Sequence, residues 1–497
     1  MDARLNERRS KNKVGDGLNG EIIRATFYGG AEEVGRSAIL LEETGQAHGH
    51  GGRGKPKSML LDCGIKLGEV TQYPALSDND IKNIQGIVIT HAHLDHSGYL
   101  PHIYAAKAKP TVYATKPTRD LAGVLLSDYR RIQKEKLFKQ QDVDNALQQM
   151  NMVEYHEPTQ GPFEFTLHNA GHILGSAMVR INEKGGILYT GDICTRNTRI
   201  LDGCEQGLSA ETLIMETTYA GKHDVLPTMK ESAKKLVGEI NKTLNEGGHV
   251  IVPSFAVGRA QEILLLLDDY MRSGALGKTK IYIDGMIGKA MRIYRHNAYY
   301  ANDDIKKRIL MSEDDPFNSP FFFHPKSKER EDVLAEPAII VTTSGMLSGG
   351  PALFYIEKLA GNPKNKLIFV GYQAEGTRGR ALLNGQKRMR LGRGRERRRH
   401  GEKEASKTNV GGIKPEPDEE DEFRGQGEKE IEINMKVAEV RISGHADHDD
   451  LVRFVKGIKR LKRIFLVHGE KSSEFKDEIE RKYEIIVPRL TETHGII

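Results

Sequence analysis

The sequence predicts an α/β protein made of parallel sheets covered by helices, with a large segment inserted into the first unit. Two observations predict this class. Short β-branched runs alternate with amphipathic helical patterns from residue 229 to residue 370. In addition, histidines and aspartates recur directly after several predicted strands. The 497 residues are enough for about three domains at ~150 residues each, so a composite architecture is expected.

The composition excludes several classes of protein. Hydrophobic residues make up 38% and charged residues 29% of the chain, which is too apolar for a wholly disordered protein. The longest aliphatic stretch, residues 263–267, is far shorter than the ~18 residues of a membrane-spanning helix. The first twenty residues lack the apolar block of a secretory signal. We therefore expect a cytoplasmic location, no membrane partner, and reduced thiols at the three cysteines.

Changes of pattern divide the chain. Residues 1–20 are basic and are expected to form a flexible tail. Residues 216–435 are expected to form a separate α/β domain, an insert in the sequence between residues 21–215 and residues 436–497. Within that insert, residues 385–429 pass from an arginine-rich block to an acidic block. Blocks of like charge bury too little apolar surface to become ordered, so we expect a disordered excursion there.

The predicted elements follow in order. Apolar runs bounded by glycine or polar residues predict strands in the first part, at 22–28, 37–41, 58–61, 87–90, 163–169 and 186–190. In the insert, helices at 229–244, 259–271 and 352–359 alternate with strands at 249–253, 280–283, 338–342 and 366–370. The last part is predicted as strand 436–442, helix 447–458, strand 463–467, helix 474–483 and strand 485–487.

The strongest chemical signal is a loop rich in histidine. His91, His93, Asp95 and His96 fall within six positions, directly after a predicted strand. Imidazole and carboxylate groups are the usual ligands of Zn²⁺ in sites that keep a water molecule bound. The spacing allows two ions ~3.5–4 Å apart, as in two-metal hydrolases. The loop therefore predicts a metal site.

Three further ligand-type residues share one context. His172, Asp192 and His468 each follow an apolar strand and have a glycine beside them. Glycine lets the backbone turn close to an ion. A single histidine or aspartate at a strand end is more often a cap or a satisfied polar residue. The recurrence of the pattern indicates that these residues join the loop.

The motifs, taken in order, resemble a known family. H-A-H-L-D-H (91–96), G-H-I-L-G-S (171–176) and Y-T-G-D-I (189–193) resemble the metallo-β-lactamase signature, while M-E-T-T-Y (215–219), S-G-H-A-D (443–447) and L-V-H-G-E (466–470) resemble the β-CASP nuclease motifs. The chain is most similar to the archaeal relatives of the endonuclease subunit of the cleavage and polyadenylation specificity factor. The resemblance implies a metallo-β-lactamase αββα sandwich with an inserted β-CASP parallel α/β domain. No KH-like region with a G-x-x-G loop is expected ahead of the catalytic part.

The resemblance also implies two zinc ions per chain. It assigns His91, His93 and His172 to one ion, Asp95, His96 and His468 to the other, and Asp192 as a bridge between them. Asp62 matches the first acidic motif of the family, and we expect it to orient ligands by hydrogen bonds.

The implied function is a zinc-dependent ribonuclease. Metal binding lowers the pKa of water to about 7, so a metal-bound hydroxide can attack phosphorus at neutral pH. Asp95 belongs to this catalytic group. Glu216 and His445 match β-CASP motifs, and the Glu216 carboxylate is expected to keep His445 protonated as the general acid for the leaving ribose oxygen.

Loops that follow strands in the insert are candidates for phosphate binding. Arg259, Ser344, Gly345 and Arg378 lie in such loops, where free N–H groups and helix dipoles attract phosphate. Without the resemblance these are ordinary glycine turns. Their similarity to segments that line the RNA channel of β-CASP proteins favours contacts with single-stranded RNA. The arginine-rich block either grips the RNA backbone electrostatically or is a solvated charge run.

Several alternatives stay open at this level. Endonucleolytic RNA 3′-end processing or turnover is the leading hypothesis, and a 5′–3′ exoribonuclease of the RNase J type is the alternative. An inactive scaffold subunit of an RNA-processing complex is disfavoured because none of the seven ligands is missing. A hydrolase of small esters or thioesters would not need so large an insert. The resemblance leaves open a homodimer and RNA-processing or exosome-like partners.

Overall fold

The computed structural model describes residues 22–44, 56–68, 70–133, 136–183, 185–312, 314–391, 429–479 and 482–496. The predicted tail at residues 1–20 and most of the predicted charged excursion lie outside this part of the chain. Within the described residues, no helix has the length and apolar character needed to cross a membrane. Cys63, Cys194 and Cys204 are buried free thiols.

The first unit consists of two sheets packed face to face. In the described residues the first sheet has the order β21 (Thr493–Gly495), β1 (Ile22–Gly29), β2 (Ala38–Thr44), β3 (Ser58–Leu61), β4 (Gly86–Val88), β5 (Thr111–Ala114) and β6 (Met150–Met152). The second has the order β20 (Glu484–Ile486), β19 (Arg463–Val467), β10 (Thr212–Glu216), β9 (Ile187–Tyr189), β8 (Ala177–Ile181) and β7 (Phe165–Asn169). Each sheet therefore combines strands from residues 22–216 with strands from residues 463–495.

Apolar side chains from both sheets form the core between them. Phe27 and Leu61 of the first sheet and Phe165, Ile214 and Phe465 of the second are all fully buried in one cluster. The rings of Phe27 and Phe465 lie 5.3 Å apart between centroids. Burial of large apolar side chains from both inner faces is what holds such a sandwich together.

Helices cover the outer faces of the two sheets. On the first sheet lie α1 (Asp78–Asn83), α2 (Leu94–Ser97), α3 (Leu100–Ala105), α4 (Lys116–Ile132) and α5 (Gln140–Gln148); on the second lie α12 (His448–Gly457) and α13 (Ser472–Glu478). The start of α4 shows the local cause. Thr115 accepts a hydrogen bond from the Thr118 N–H, and Pro117 fits the first turn, where its missing N–H is not needed. The layers confirm the predicted αββα sandwich.

The inserted domain is a third, parallel sheet covered by helices. Its order in the described residues is β13 (Phe322–Phe323), β12 (Ile281–Asp284), β14 (Ile339–Thr342), β11 (Val250–Pro253), β15 (Lys366–Phe369) and β18 (Lys436–Glu439). Its helices are α6 (Met229–Asn245), α7 (Arg259–Arg272), α8 (Ile287–His296), α9 (Asp303–Met311), α10 (Pro351–Leu359) and α11 (Arg378–Leu383). Every described strand pair in this sheet is parallel, as the alternating pattern predicts.

Two predicted boundaries are wrong. The strand at 436–439 belongs to the third sheet, where it pairs with β15, so the chain returns to the first unit after Glu439 rather than at residue 436. The charged excursion also begins later than residue 385, because β16 (Arg388–Leu391) pairs antiparallel with β17 (Lys429–Glu432). Met389 and Leu391 alternate with arginines along β16, so both apolar side chains lie on one face and are buried against the inserted domain.

Candidate metal centre

The site lies where strands of the first two sheets end. Asp62 follows β3, His91 follows β4, Asp192 follows β9, Glu216 ends β10 and His468 follows β19. Within each sheet these strands run parallel, so their carboxyl ends lie at a common edge. The sandwich brings the two edges together, which is why residues distant in the chain converge there.

Close backbone packing supports the histidine loop. A Cβ at Gly64 would lie 1.6 Å from the carbonyl oxygen of Asp95, so only glycine fits beneath the loop. His468 has φ of 50° and Asp62 has φ of 58°, in the left-handed region that non-glycine residues rarely adopt. The Cys63 N–H donates to the His96 carbonyl at 2.7 Å, which ties the segment directly after β3 to the same loop.

All seven ligands named by the motifs come together in two groups. One group contains His91, His93, His172 and Asp192, and the other contains Asp95, His96, Asp192 and His468. Within each group the nearest ligand atoms lie within 4.8 Å of one another. Asp192 belongs to both groups, as expected for a bridging carboxylate.

Each histidine of the cluster directs one ring nitrogen toward the other ligand atoms and places its second ring nitrogen near a polar atom outside the cluster. His96 Nδ1 lies 2.6 Å from Asp62 Oδ2, His468 Nδ1 lies 2.7 Å from Ser37 Oγ, and His91 Nδ1 lies 3.1 Å from Thr90 Oγ1. His172 Nδ1 donates to the Gly444 carbonyl at 2.7 Å, and His93 Nε2 faces the Val257 carbonyl at 3.4 Å. Such contacts fix the tautomer and the orientation of metal-binding imidazoles.

Asp62 connects several of these contacts. Its carboxylate accepts hydrogen bonds from the Thr90 N–H at 2.8 Å, the Thr90 hydroxyl at 2.9 Å and the Tyr189 hydroxyl at 2.8 Å, in addition to His96. Asp62 itself is fully buried. Its four donors hold the carboxylate in one orientation, so His96 and, through Thr90, His91 are held as well.

The electrostatics favour unprotonated imidazole on one side of the cluster. Burial lowers the pKa of His91, His93 and His172, which keeps these rings neutral, the form that binds a metal ion. Burial also disfavours the charged forms of His96 and Asp192, but their mutual attraction outweighs it. The pKa of His96 is therefore raised, and the pKa of Asp192 is lowered by His96 and His468.

The donor atoms fit a pair of divalent cations. His93 Nδ1 and His172 Nε2 lie 3.1 Å apart, yet both rings donate their N–H elsewhere, so two lone pairs face each other. The Nε2 atoms of His91 and His468 are buried and make no hydrogen bond among the described residues, while Oδ1 of Asp192 lies 3.1 Å from His96 Nε2. Buried polar atoms without partners are costly, and a cation between them removes that cost. An imidazole and carboxylate set is the one Zn²⁺ prefers in open sites.

A buried carboxylate and a histidine lie beside the cluster. Glu216 is fully buried, and its oxygens lie 3.1 and 3.2 Å from His445 Nδ1. The Ile193 N–H also donates to Glu216, at 2.7 Å. His445 is 4.4 Å from His172 between ring centroids and 4.0 Å from Asp192 Oδ2. Burial lowers the pKa of His445, but Glu216 and Asp192 outweigh this effect, so its pKa is raised.

The loop that carries His445 is anchored from several sides. Asp447 caps α12 by accepting the Asp450 N–H at 3.0 Å. The same carboxylate accepts the Leu226 N–H at 3.0 Å and pairs with Arg196. His445 is therefore presented to the cluster from a fixed backbone.

Arg259 extends the site on the side of the inserted domain. Its guanidinium is so close to Gly444 that a Cβ there would lie 2.6 Å from Arg259 Nη2. Burial is the main influence on this side chain and lowers its pKa, with Tyr219 and Glu262 acting in the opposite direction. The Arg259 guanidinium makes no hydrogen bond or ion pair in the part of the chain that the structure describes. An unpaired guanidinium beside His445 is suited to an anionic ligand.

The other predicted phosphate contacts lie at the carboxyl edge of the third sheet. A Cβ at Gly345 would lie 3.0 Å from the Phe255 N, which places the loop after β14 against the loop after β11. Ser344 accepts the Ser348 N–H at 2.9 Å within its own loop. Arg378 donates to the carbonyls of Leu347, at 2.9 Å, and Arg390, at 3.0 Å. Arg378 thus joins this loop to β16, a structural contact that sequence reasoning did not predict.

Sequence reasoning missed several residues of the site. Ser37, Thr90, Tyr189 and Gly444 all contact a ligand or its partner. Tyr189 and Gly444 lie inside the quoted motifs and were available from them. Ser37 carries no signal of its own, because its contact with His468 spans 431 residues of the chain.

Comparisons with known proteins agree with this geometry. Residues 56–218 match the metallo-beta-lactamase superfamily domain, residues 260–382 the Beta-Casp domain, and residues 430–488 the Zn-dependent metallo-hydrolase RNA specificity domain. The transcription termination factor FttA of Methanothermobacter thermautotrophicus is 36% identical over 483 residues, which are 93% of this chain and 70% of that protein. The chain belongs to the metallo-β-lactamase β-CASP family.

Other members of this β-CASP family give the same picture. FttA of Pyrococcus abyssi is 36% identical over 490 residues, and FttA of Thermococcus kodakarensis is 35% identical over 491 residues. Both alignments cover 93% of this chain and 69% of the relative. The family is one of zinc-dependent metallo-hydrolases with an RNA specificity domain, and the histidine and aspartate cluster described above suits a metal.

Proposed function

We propose that this chain is a two-zinc ribonuclease that hydrolyses phosphodiester bonds of single-stranded RNA, with His445 as the general acid. The observation that carries the proposal is the contact of His445 Nδ1 with Glu216, 3.1 Å away, beside the ligand cluster. A metal site alone suits many hydrolases. A histidine kept charged by a buried carboxylate next to it suits a reaction whose leaving group is an alkoxide oxygen.

Zinc ions held by the seven ligands would supply a water molecule of lowered pKa for attack on phosphorus and positive charge for the phosphoryl oxygens. The residues of the chain supply the rest. Asp95, His96 and His468 form one side of the cluster and His91, His93 and His172 the other, with Asp192 shared. Asp62 holds His96 by a hydrogen bond of 2.6 Å and so positions the second group.

His445 has the position of a proton donor. Glu216 accepts from Nδ1, which leaves Nε2 as the nitrogen that donates to the departing ribose oxygen. Glu216 and Asp192 raise the pKa of His445 against the effect of burial, which favours the protonated ring that a proton donor needs. Glu216 acts through His445, since it is fully buried and lacks access to substrate.

Arg259 is the proposed contact for the scissile phosphate or its neighbour. Its guanidinium lies beside Gly444, the residue before His445, and has no partner of opposite charge within ion-pair distance among the described residues. Ser344, Gly345 and Arg378 are proposed as further contacts along the same edge of the third sheet. An RNA strand would then lie between the inserted domain and the metal cluster.

Aromatic side chains at this edge suit a single-stranded nucleic acid. Tyr219 lies 5.9 Å from His445 and 6.3 Å from Tyr372 between ring centroids. The Phe255 side chain is one of the exposed large hydrophobic groups of the chain and lies against Gly371. An exposed ring such as that of Phe255, near a phosphate site, offers a stacking surface for a base. A small ester substrate would have no use for such a surface.

We further propose that the cleavage is endonucleolytic and serves the ending of transcripts. This rests on the relatives, which are named transcription termination factors and are 35–36% identical to this chain. The 5′–3′ exoribonuclease remains the alternative. Purified chain loaded with Zn²⁺ is incubated with one RNA labelled at either its 5′ or its 3′ end. Labelled fragments of intermediate length from both the 5′-labelled and the 3′-labelled RNA support endonucleolytic cutting, whereas release of mononucleotides from the 5′ label alone overturns it.

A further inference from the structure

A second group of metal-ligand side chains lies apart from the cluster described above. His156 is in the connection between β6 and β7, His168 is in β7, and Glu205 is in the segment between β9 and β10. Their nearest ligand atoms lie within 4.8 Å of one another. Neither the family motifs nor the proposed reaction uses any of these three residues.

The distances suit coordination to one ion. Glu205 Oε2 lies 2.9 Å from His168 Nδ1 and 3.6 Å from His156 Nδ1. Two ligands at about 2.0–2.1 Å from Zn²⁺ in tetrahedral geometry are roughly 3.3 Å apart, which lies between the two observed distances. The His156 and His168 rings are 5.4 Å apart between centroids and nearly perpendicular, at 78°. The two imidazoles therefore converge on the same carboxylate oxygen without stacking on each other.

Backbone contacts hold the three residues in place independently of their side chains. The His156 N–H donates to the Leu167 carbonyl at 2.9 Å, beside a parallel bridge between Tyr155 and Leu167. The Glu205 N–H donates to the Asn169 carbonyl at 3.0 Å. Both segments are therefore fixed to β7, the strand that carries His168. A preformed site of this kind loses little conformational entropy when an ion binds.

The exposure of the group suits an ion with open positions. The side chain of His168 is 11% exposed, that of Glu205 31% and that of His156 63%. Water can therefore reach the point where the three side chains meet. Two histidines and one glutamate form a known zinc ligand set that leaves a position for water. The alternative is a plain ion pair between His168 and Glu205, with His156 as a bystander.

We propose that His156, His168 and Glu205 form a third zinc site, separate from the two-zinc cluster. Bound Zn²⁺ would join the connection before β7 to the segment before β10. Both segments are bonded to β7, which leads directly to the turn that carries His172. In addition, Glu205 follows Cys204, whose N–H donates to the Cys194 carbonyl at 2.7 Å, two residues after Asp192. The third ion would therefore stabilise the segments that position His172 and Asp192.

The test is zinc stoichiometry of the full chain, measured by equilibrium dialysis against Zn²⁺ and elemental analysis. His156→Ala removes an exposed side chain, and we expect it to bind one zinc fewer per chain than the wild type. Glu205→Gln should also lose that zinc. The matched control is His223→Ala, an exposed histidine outside the group, which should bind as much zinc as the wild type. Equal zinc in His156→Ala and the wild type would overturn the proposal.

A second measurement separates this site from the two-zinc cluster. The double substitution His91→Ala and His93→Ala should keep one zinc that is lost when His156→Ala is added. Anomalous X-ray diffraction at the zinc edge should show a peak between the three side chains in wild-type crystals. A zinc-soaked crystal with peaks at the two-zinc cluster but none here would contradict the assignment, whatever the chain does to RNA.

Discussion

Glu216 and His445 are separated by 229 residues, yet both carboxylate oxygens of Glu216 lie within 3.2 Å of His445 Nδ1. The carboxylate is fully buried at the end of β10, whereas the His445 side chain is 19% exposed. Glu216 is therefore held in the core, whereas His445 can reach a substrate. This relationship separates the roles of the two residues.

Replacing His445 should slow cleavage without loss of metal. His445 is not one of the seven predicted ligands. A positioned proton donor contributes ~10²–10⁴-fold to the rate. We expect His445→Ala to reduce kcat for RNA cleavage by about that factor, with zinc content equal to the wild type. The exposed His223→Ala serves as the control. Cleavage at the wild-type rate by a zinc-loaded His445→Ala chain would exclude the role.

The pH dependence of cleavage should report on Glu216. Because Glu216 and Asp192 raise the pKa of His445 against burial, the ring stays protonated to higher pH than an ordinary imidazole. Activity is therefore present below this raised pKa and is lost as the pH rises through it. Glu216→Gln removes the charge, lowers the pKa of His445 and should move the alkaline limb of kcat to lower pH. An alkaline limb at the same pH in both proteins would be inconsistent with this coupling.

Asp192 should be the most sensitive ligand. Of the seven predicted ligands, Asp192 alone belongs to both the His91 group and the Asp95 group. We expect Asp192→Asn to lose zinc from both groups and to abolish cleavage. Asp202→Asn, at an exposed position between β9 and β10, should keep the zinc of both groups. Elemental analysis after dialysis decides between loss and retention, and full zinc in Asp192→Asn would refute the bridging role.

Arg259 should affect RNA binding rather than metal binding. If it contacts one phosphate, Arg259→Ala reduces the slope of log K against log salt by about 0.7 for single-stranded RNA. The KM should rise while zinc content stays constant. Arg292→Ala removes an exposed arginine of α8 and is the control. An unchanged salt slope would show that Arg259 is not a phosphate contact.

Asp62 should tune zinc affinity without binding zinc itself. It accepts from His96 at 2.6 Å and from Tyr189 at 2.8 Å. Partners of this kind typically contribute 10–100-fold to metal affinity. We expect Asp62→Asn to weaken zinc binding in that range and Tyr189→Phe to weaken it less. Competition with a chelator measures both, and wild-type affinity in Asp62→Asn would remove Asp62 from the site.

The sequence predicted which side chains converge at the site better than it predicted the elements that carry them. The loop from His91 to His96 was found because its spacing is local, and His468 because it follows an apolar strand with a glycine beside it. In contrast, α8 was not predicted, since Met286, the residue that precedes it, provides no side-chain cap to signal a helix. α4 was also missed, although Thr115 and Pro117 do signal its start. The edge position of β18 depends on pairing with β15, which no local pattern contains.

The central claim is that this chain cuts RNA with metal held by the seven ligands. The most direct test is cleavage of an end-labelled single-stranded RNA by the purified chain, after chelation and after Zn²⁺ is restored. We predict intact RNA with the chelated protein, cleavage with the zinc-restored protein, and no cleavage with zinc-treated Asp192→Asn. RNA that stays intact with the fully zinc-loaded wild-type chain, or equal cleavage by Asp192→Asn, would contradict the claim.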